Sequence, residues 1–435
     1  MEIIRQDLNI SQSVNGIHAP LRDVVNHRLD RFVRPRIRFF SNSISSFQAC
    51  GFAGLTLAIL LSIVLVNRLD LSLIVLAVII LGAVTTFFGL AMLTKIVTGE
   101  EQLIYYHHEI AVMIVTAILL RLMSQPILPY LDVTILAVGT FLFCGRIGCL
   151  MVGCCHGRPH RWGVCYEVEH SAEGFASCYV GVRLFPIQAV ESLWVLFTVI
   201  VGSLLILIHR SPGEAFAWYV VAYDVGRFGF EFLRGDPERR YLLGFSEPQW
   251  ISFWLLCFVV YAEFAGLLIY HPWHAAVAAS MGLTMMAVFL TRRHRKSSKH
   301  RLLNPKHVKA IAEALERLSL AVSEGTGLIR QDMTHVSIPY ECTSLGIRIS
   351  ASKVESPEGF AHLYGLSSEN GTMTQEEAAT ITELILQLRY ASAMNELIAG
   401  KQGVFHLLIH PMSDNKSNLR KGELDHSPPV WPRSL

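Results

Sequence analysis

A polytopic helical membrane domain followed by a small soluble α+β domain is the fold that this sequence predicts. Of its 435 residues, 52% are hydrophobic and only 17% are charged, whereas soluble globular chains carry roughly 25% charged residues. Apolar windows close to the ~20 residues that a membrane-crossing helix needs recur through the first 290 positions. These observations exclude a plain soluble enzyme, a disordered chain and a coiled coil. The net charge of +2 gives no argument for a nucleic-acid partner.

The first 46 residues are expected to form a basic N-terminal arm and not a signal peptide, because they lack an apolar core behind a basic start. Arginines alternate with apolar residues along this arm, at Arg28, Arg31, Arg34, Arg36 and Arg38. The pattern is typical of a segment that lies on a membrane surface. The alternative is a poorly ordered basic arm.

The membrane domain is predicted to cover residues 47–290 with seven or eight transmembrane helices. The apolar windows are 47–67, 71–94, 109–123, 131–153, 186–208, 213–233, 249–270 and 273–290. The eighth window is weaker than the others, because it is short and rich in Ala and Gly. A helical bundle follows, since a backbone in lipid must satisfy its own hydrogen bonds and alternating barrel strands are absent from the pattern.

After a basic linker over residues 291–303, residues 304–411 read as a small soluble α+β domain. Apolar spacing predicts a helix from Pro305 to Glu324, and strands are predicted near 345–349, 360–366 and 404–409. Thr374 and Glu377 form a capping-box pattern, which predicts a long helix to about Ala399. Residues 412–435 read as a polar tail. No catalytic motif is found in this domain.

One predicted transmembrane helix carries a charged face. Tyr223, Arg227, Glu231 and Arg234 are spaced 4, 4 and 3 residues apart and therefore lie on one side of a helix. Arg227 and Glu231 are expected to pair. Two arginines beside one carboxylate leave a positive charge whose forked donors suit phosphate or carboxylate. The alternative is an internal ion-pair network that holds the helices together.

Further polar and ionisable residues lie at three other predicted helix ends. Such residues inside a membrane are costly and usually functional. They are Tyr106, His107 and His108 at the start of the third span, Arg146 and Arg158 among Gly145, Gly148, Gly153 and Gly157 at the end of the fourth, and Gln188 and Glu191 at the start of the fifth. The glycine-rich segment is interpreted as an anion pocket around Arg146. The alternative is tight helix packing beside a snorkelling arginine.

Six of the nine cysteines fall between Cys144 and Cys178, so their placement is uneven. Cys144, Cys149 and Cys154 are five residues apart, which is neither helical-face spacing nor usual metal-ligand spacing, and no C-x-x-C pair occurs. Small side chains in a crowded segment are the preferred interpretation. A disulfide and a metal site remain open alternatives.

The segment from Gly145 to Pro159 is similar to the signature of prolipoprotein diacylglyceryl transferases, and other elements match that family in order. These are Tyr106-His107, then Pro186, Gln188 and Glu191, then the stretch Arg227 to Arg234, and Gln249 at the start of a later helix. The chain departs from the signature at Cys149, Val152 and Cys154, and from neighbouring family positions at Phe185 and Val190.

The resemblance implies transfer of a diacylglyceryl group from phosphatidylglycerol to the lipobox cysteine of a prolipoprotein, at a cell membrane that the chain crosses several times. It implies catalytic roles for Arg146 and Arg227 as a phosphate clamp and for His107 or His108 as a base. It implies substrate contacts from Tyr106, Gly145, Gly148, Gly153, Gly157, Arg158, Gln188, Glu191, Tyr223, Glu231 and Arg234. No metal, organic cofactor or nucleic acid is implied.

Two other functions remain open. The departures at Cys149, Val152 and Cys154 suggest a family member with lost or altered activity that binds anionic lipid or a protein partner. The cysteines suggest a membrane redox or metal protein. Membrane orientation also stays open, because the basic residues at both ends of the membrane domain favour the cytoplasmic side. With eight spans this places the loops of Arg146 and Arg234 inward, whereas the resemblance implies an outward active face. With seven spans only the N-terminal arm disagrees with the orientation that the resemblance implies.

Overall fold

The computed structural model describes residues 21–39, 42–99, 105–237, 239–294, 299–323, 328–329, 337–356, 359–390 and 393–410. The chain divides into two compact units. The first extends to Leu315 and includes the segment that begins at Glu383, and the second covers Glu316–Thr382 and the segment that begins at Ser392. The predicted polar tail, residues 412–435, lies outside the described residues.

The first unit is mostly helical. It begins with α1 (residues 21–32) and the hairpin β1 (Arg36–Phe39) and β2 (Asn42–Ser45). The long helices follow as α2 (Ser46–Arg68), α3 (Leu73–Thr98), α4 (Tyr105–Leu122), α5 (Ile127–Val152), α6 (Ile187–Leu207), α7 (Glu214–Phe230), α8 (Glu247–Phe264) and α9 (Pro272–His294). Each of the eight apolar windows of the sequence corresponds to one of these helices.

Five of the described helices are long and apolar enough to cross a membrane: α2, α3, α5, α6 and α9. The last of these corresponds to the window that the sequence pattern rated weakest. The other three helices, α4, α7 and α8, have 18, 17 and 18 residues. The chain is thus a helical membrane protein with five candidate spans. By helix length and composition, fewer described helices qualify as spans than the seven to eight that the sequence predicted.

The centre of the helical unit is α5, which packs against α2, α6 and α7. Close approach needs small residues here, because a Cβ built at Gly54 of α2 would lie 2.8 Å from the Cβ of Cys144 on α5. Buried Tyr130, Leu136 and Tyr219 belong to one continuous apolar core. A second apolar cluster joins α7, α8 and α9. Since each helix packs against its neighbour in the chain, the helix ends alternate between two sides of the unit.

Short strands and turns connect the helices at one of these sides. Between α5 and α6 lie β3 (Pro159–Cys165) and β4 (Arg183–Leu184), and between α7 and α8 lie β5 (Tyr241–Leu242) and β6 (Phe245–Ser246). The buried Asn26 of α1 donates to the carbonyl of Arg161 and accepts from the N–H of Gly163, so α1 is tied to β3. Asp30 of α1 pairs with Arg183 of β4 at 3.0 Å.

The C-terminal part of the chain contains strands, as predicted. Helices α10 (Lys299–Leu302) and α11 (Pro305–Ser323) precede a sheet of β7 (Leu328–Ile329), β8 (Tyr340–Cys342), β9 (Ile347–Ser356), β10 (Gly359–Ser368), β11 (Asn395–Ala399) and β12 (Phe405–Ile409). The strand order is β11-β12-β10-β9-β7, with β8 also paired to β9, and only β7 runs parallel to its neighbour among the described strands.

The predicted capping box is confirmed, but the predicted end of its helix is wrong. The hydroxyl of Thr374 accepts from the N–H of Glu377, and the Glu377 carboxylate accepts from the N–H of Thr374. The helix, α12 (Gln375–Arg389), ends ten residues before Ala399, because Asn395–Ala399 pairs with β12 as an antiparallel edge strand. Strand pairing therefore determines the conformation of residues 395–399, although their local sequence pattern is compatible with a helix.

Candidate functional site

Five helix ends meet on the side of the helical unit that carries the strands: the start of α4, the end of α5, the start of α6, the end of α7 and the start of α8. The segment after α5 is joined to the end of α7 through the backbone. The N–H of Arg158 donates to the carbonyl of Leu233, and the N–H of Gly235 donates to the carbonyl of His156. This joining brings predicted site residues from separate windows of the sequence into one place.

Glu191, in the first turns of α6, is the centre of a buried charged network. Its carboxylate is fully buried and contacts three arginines. Arg146 Nη2 lies 3.1 Å from Oε1, Arg234 Nη1 lies 3.3 Å from Oε2, and Arg227 Nε lies 3.7 Å from Oε1. The hydroxyl of Tyr223 donates to Oε1 at 3.4 Å. One carboxylate from α6 thus gathers guanidinium groups from α5, from α7 and from the segment after α7.

Two further carboxylates complete the network. Arg227 Nη2 lies 2.5 Å from Glu231 Oε1, which confirms the pair expected from their spacing. Arg234 Nε lies 2.8 Å from Asp236 Oδ1, and Arg239 Nε lies 2.9 Å from Asp236 Oδ2. Burial alone would raise the pKa of Asp236, but the two guanidinium groups outweigh burial and lower its pKa to about 2. Asp236 therefore stays ionised at neutral pH.

The network carries more positive than negative charge. Four guanidinium groups, of Arg146, Arg227, Arg234 and Arg239, face three carboxylates. Among the described residues, three buried donor atoms of the network have no hydrogen-bond acceptor: Arg146 Nε, Arg227 Nη1 and Arg234 Nη2. A buried donor without a partner is costly. The arrangement is therefore suited to an anion with several acceptor oxygens, such as a phosphate.

The glycines of the sequence signature lie in the last turns of α5 and in the segment that follows it. Gly153 ends α5 with a positive φ of 84°, and a Cβ at Gly157 would lie 2.5 Å from the carbonyl oxygen of Phe185. A Cβ at Gly148 would lie 3.2 Å from Cα of Phe47 on α2, whereas a Cβ at Gly145 would meet no atom within 4 Å. The structure thus uses Gly148 for helix packing and Gly153 and Gly157 for the turn.

Two predicted residues join this turn to the network. Arg158 Nε donates to the carbonyl of Arg234 at 3.3 Å, which adds a fifth guanidinium beside the other four. Gln188 Nε2, from α6, donates to the carbonyl of Cys154 at 2.8 Å. The Sγ atoms of Cys149, Cys154 and Cys155 lie within 4.8 Å of one another in this turn.

The predicted residues at the start of α4 lie in different surroundings. Tyr106 is buried, and its hydroxyl lies 2.6 Å from Asp224 Oδ1 and 2.7 Å from Ser252 Oγ. Its ring centroid is 5.9 Å from that of Tyr223, which reaches Glu191. His107 is partly exposed, with Nε2 at 3.1 Å from Glu247 Oε1.

His108 is buried against the ring of Phe87, with 4.7 Å between the ring centroids. Of the two histidines, His107 is thus the one that solvent can reach and that a carboxylate holds. Sequence reasoning did not select Asp224, Asp236, Arg239 or Glu247 as site residues. Asp236 did belong to the cluster of ionisable residues that the sequence indicated around Arg227 and Arg234, although it was not selected as a site residue.

Comparison with known proteins identifies the family whose sequence pattern this chain shares. A family model described as prolipoprotein diacylglyceryl transferase matches residues 37–264. Phosphatidylglycerol–prolipoprotein diacylglyceryl transferase of Clostridium tetani is 33% identical over 129 residues, which are 29% of this chain and 49% of that protein. Transferase 2 of the same name from Clostridium perfringens is 34% identical over 115 residues, 26% of this chain and 42% of that protein.

A third match points the same way. Transferase 2 of that name from Streptomyces coelicolor is 36% identical over 103 residues, 22% of this chain and 30% of that protein. The chain thus spans about half, or less, of the length of these curated relatives.

Proposed function

The chain belongs to the prolipoprotein diacylglyceryl transferase family, and on that premise we propose that it transfers the diacylglyceryl group of phosphatidylglycerol to a lipobox cysteine of a prolipoprotein. The observation that carries the proposal is the arginine network around Glu191. Three of its buried guanidinium donors have no acceptor among the described residues, and the network has an excess positive charge. A phosphodiester supplies both the acceptor oxygens and the negative charge.

The chemistry needs a stabilised leaving group and an activated thiol. The cysteine sulfur attacks the glyceryl carbon bound to phosphate, a C–S bond forms, and the C–O bond breaks with its electron pair on the phosphate oxygen. Glycerol phosphate leaves, and the thiol proton passes to a base or to water. Arg146 and Arg227 act on the charge that develops on the phosphate. Arg234 and Arg158 add positive charge to the same network, and Glu191 and Glu231 hold the arginines in position.

His107 acts as the base in this proposal, because a free thiol with a pKa of ~8.5 is mostly protonated at neutral pH. Its partial exposure admits a peptide, and Glu247 orients its ring. His108 remains the second choice. Tyr106, Tyr223 and Gln188 line the same end of the unit, where they border the substrates together with the backbone at Gly145, Gly148, Gly153 and Gly157.

We also propose that α4, α7 and α8 cross the membrane, which gives eight crossings within residues 47–290 of a cell-membrane protein. The support is antiparallel packing. Arg292 near the end of α9 donates to the carbonyl of Gly244 and covers the ring of Phe245, so α9 ends beside the start of α8. We propose further that residues 304–411 form a soluble domain behind a basic linker.

A reconstituted assay tests the activity. Purified full-length protein in phosphatidylglycerol vesicles receives a peptide with a lipobox cysteine, and mass spectrometry follows the peptide and the released glycerol phosphate. We expect a diacylglyceryl mass gain on the peptide. Arg146→Ala should lower the rate by ~10²–10³, whereas Arg121→Ala, an exposed arginine at the other end of α4, should leave it unchanged.

A folded wild-type protein that binds phosphatidylglycerol vesicles but adds no mass to the peptide would contradict the proposal. That result would favour a family member that binds anionic lipid without transferring it. Equal rates for wild type and Arg146→Ala would contradict the phosphate role of the network.

A further inference from the structure

The turn after α5 concentrates soft ligands beside the arginine network. The Sγ atoms of Cys149, Cys154 and Cys155 all lie within 4.8 Å of one another. The spacing of these residues in the sequence did not indicate a metal site. A local turn brings them together, because Gly153 ends α5 in the left-handed conformation and Cys155 follows with a positive φ of 54°. A non-glycine residue rarely adopts that conformation.

The donor set and its geometry suit a zinc ion. With Zn–S bonds of ~2.3 Å, three sulfurs around a tetrahedral ion lie roughly 3.8 Å apart. The Sγ atoms of the three cysteines lie within 4.8 Å of one another, which is within about 1 Å of that value, and small side-chain rotations provide the difference. Cys149 is buried, Cys155 is partly buried and Cys154 is exposed. One side of the cluster therefore lies against the protein interior, and the other side is accessible.

The surrounding charge favours such a site as well. Three thiolates and one Zn²⁺ carry a net charge of −1, which needs positive charge nearby. Arg146 and Arg234 both interact electrostatically with Cys155. With Arg158, the network has five guanidinium groups against three carboxylates. Before the acceptor thiol binds, the −1 of the zinc–thiolate group and the −1 of one phosphodiester together balance that excess of +2.

We propose that Cys149, Cys154 and Cys155 bind a zinc ion whose fourth position receives the acceptor thiol. Structural zinc sites are closed by four protein ligands, whereas three ligands and an open position are typical of catalytic zinc. A thiol bound to zinc is deprotonated outright and remains a nucleophile. This inference rests on the proposed function, because the transfer alkylates a thiol. It explains why cysteines stand beside the arginines that would hold the phosphate.

The step is balanced without a further reactant. The acceptor thiol loses its proton to His107 or to water as its sulfur binds zinc. That sulfur attacks the glyceryl carbon, the C–S bond forms, and the C–O bond to phosphate breaks with its electron pair on the leaving oxygen. Glycerol phosphate departs on the arginine side, and the neutral thioether, a weaker ligand than a thiolate, leaves the metal.

Metal analysis of the purified full-length protein tests the site independently of activity. After equilibration with Zn²⁺ and removal of loose metal, we expect about one zinc per chain. Replacement by Co²⁺ should give the absorption of cobalt–thiolate charge transfer. Cys149→Ser, Cys154→Ser and Cys155→Ser should each lower the affinity for zinc at least ~10-fold. Cys257→Ser on α8 and Cys342→Ser in the other unit should bind zinc as the wild type does.

Failure of the metal site can be distinguished from failure of the activity. No stoichiometric metal, stoichiometric copper or iron in place of zinc, or unchanged binding by the three serine variants would overturn the inference. Chelator-stripped protein that transfers lipid at the wild-type rate would also overturn it while supporting the proposed function. Bound zinc with no transfer to a lipobox peptide would support the metal site and contradict the activity.

Discussion

The two ends of the helical unit both contain buried charge, but they neutralise it differently. At the end opposite the candidate site, buried Asp132 of α5 accepts from the N–H of Gly213 at Oδ2 and from the N–H of Phe216 at Oδ1, each at 2.7 Å. These groups start α7, where unpaired N–H groups and the helix dipole favour a negative charge. A cavity of about 180 Å³ beside Asp132 is lined largely by apolar residues such as Leu69 and Leu205.

At the end that contains the candidate site, buried carboxylates are neutralised by arginine side chains. Glu191 has arginines as its partners, and three guanidinium donors of the network have no acceptor among the described residues. Asp132, by contrast, uses both carboxylate oxygens on backbone groups. The difference suggests how the role of a buried ionisable group in a membrane protein can be inferred from its partners. A charge whose partners are complete serves the fold, whereas a network with surplus donors is prepared for a ligand.

Glu191→Gln should give the largest effect, because it removes the shared carboxylate of three arginines and leaves their charges buried. Breaking a buried ion pair costs about 3–5 kcal/mol, so we expect a large fall in the free energy of unfolding and loss of transfer. Thermal unfolding in detergent and the vesicle assay measure both. Glu169→Gln, an exposed glutamate in the α5–α6 connection, is the matched control. A variant as stable as wild type would contradict the central position of Glu191.

Arg227→Lys should separate the ligand role of the network from its structural role. Lysine keeps the charge beside Glu231 but loses the planar fork that includes the free Nη1 donor. We expect the transfer rate to fall by ~10², with less loss of stability than in Glu191→Gln. Arg121→Lys serves as the control. Full activity of Arg227→Lys would mean that charge alone, without forked geometry, suffices for the phosphate.

Asp132→Asn should give the smallest effect and only on stability. The amide oxygen still accepts one backbone N–H, but the amide nitrogen now faces the other, which costs about 1–3 kcal/mol. We expect the transfer rate per folded molecule to stay at the wild-type value. Urea or thermal unfolding provides the comparison, with Asp70→Asn as an exposed control at the same end. A fall in transfer by the folded variant would show that the two ends are coupled.

The sequence by itself determined the helices of the membrane part and one pair within the site. Each apolar window became one of the helices α2 to α9, because length and apolarity are local properties. Arg227 and Glu231 pair as their spacing predicts, since residues four apart on a helix face each other regardless of the rest of the fold. The family resemblance was also available from the sequence, because its motifs keep their order along the chain.

Only the tertiary structure decided what these elements do together. Leu397 and Ile398 follow an amphipathic helix in the sequence, yet they belong to β11, because pairing with β12 outweighs local preference. Glu191 gathers arginines that lie 45, 36 and 43 positions away. The three cysteines had no metal-like spacing, and a local left-handed turn, which the spacing did not reveal, placed their sulfurs together. The arginine contacts depend on how helix ends meet, which a pattern along one chain segment does not contain.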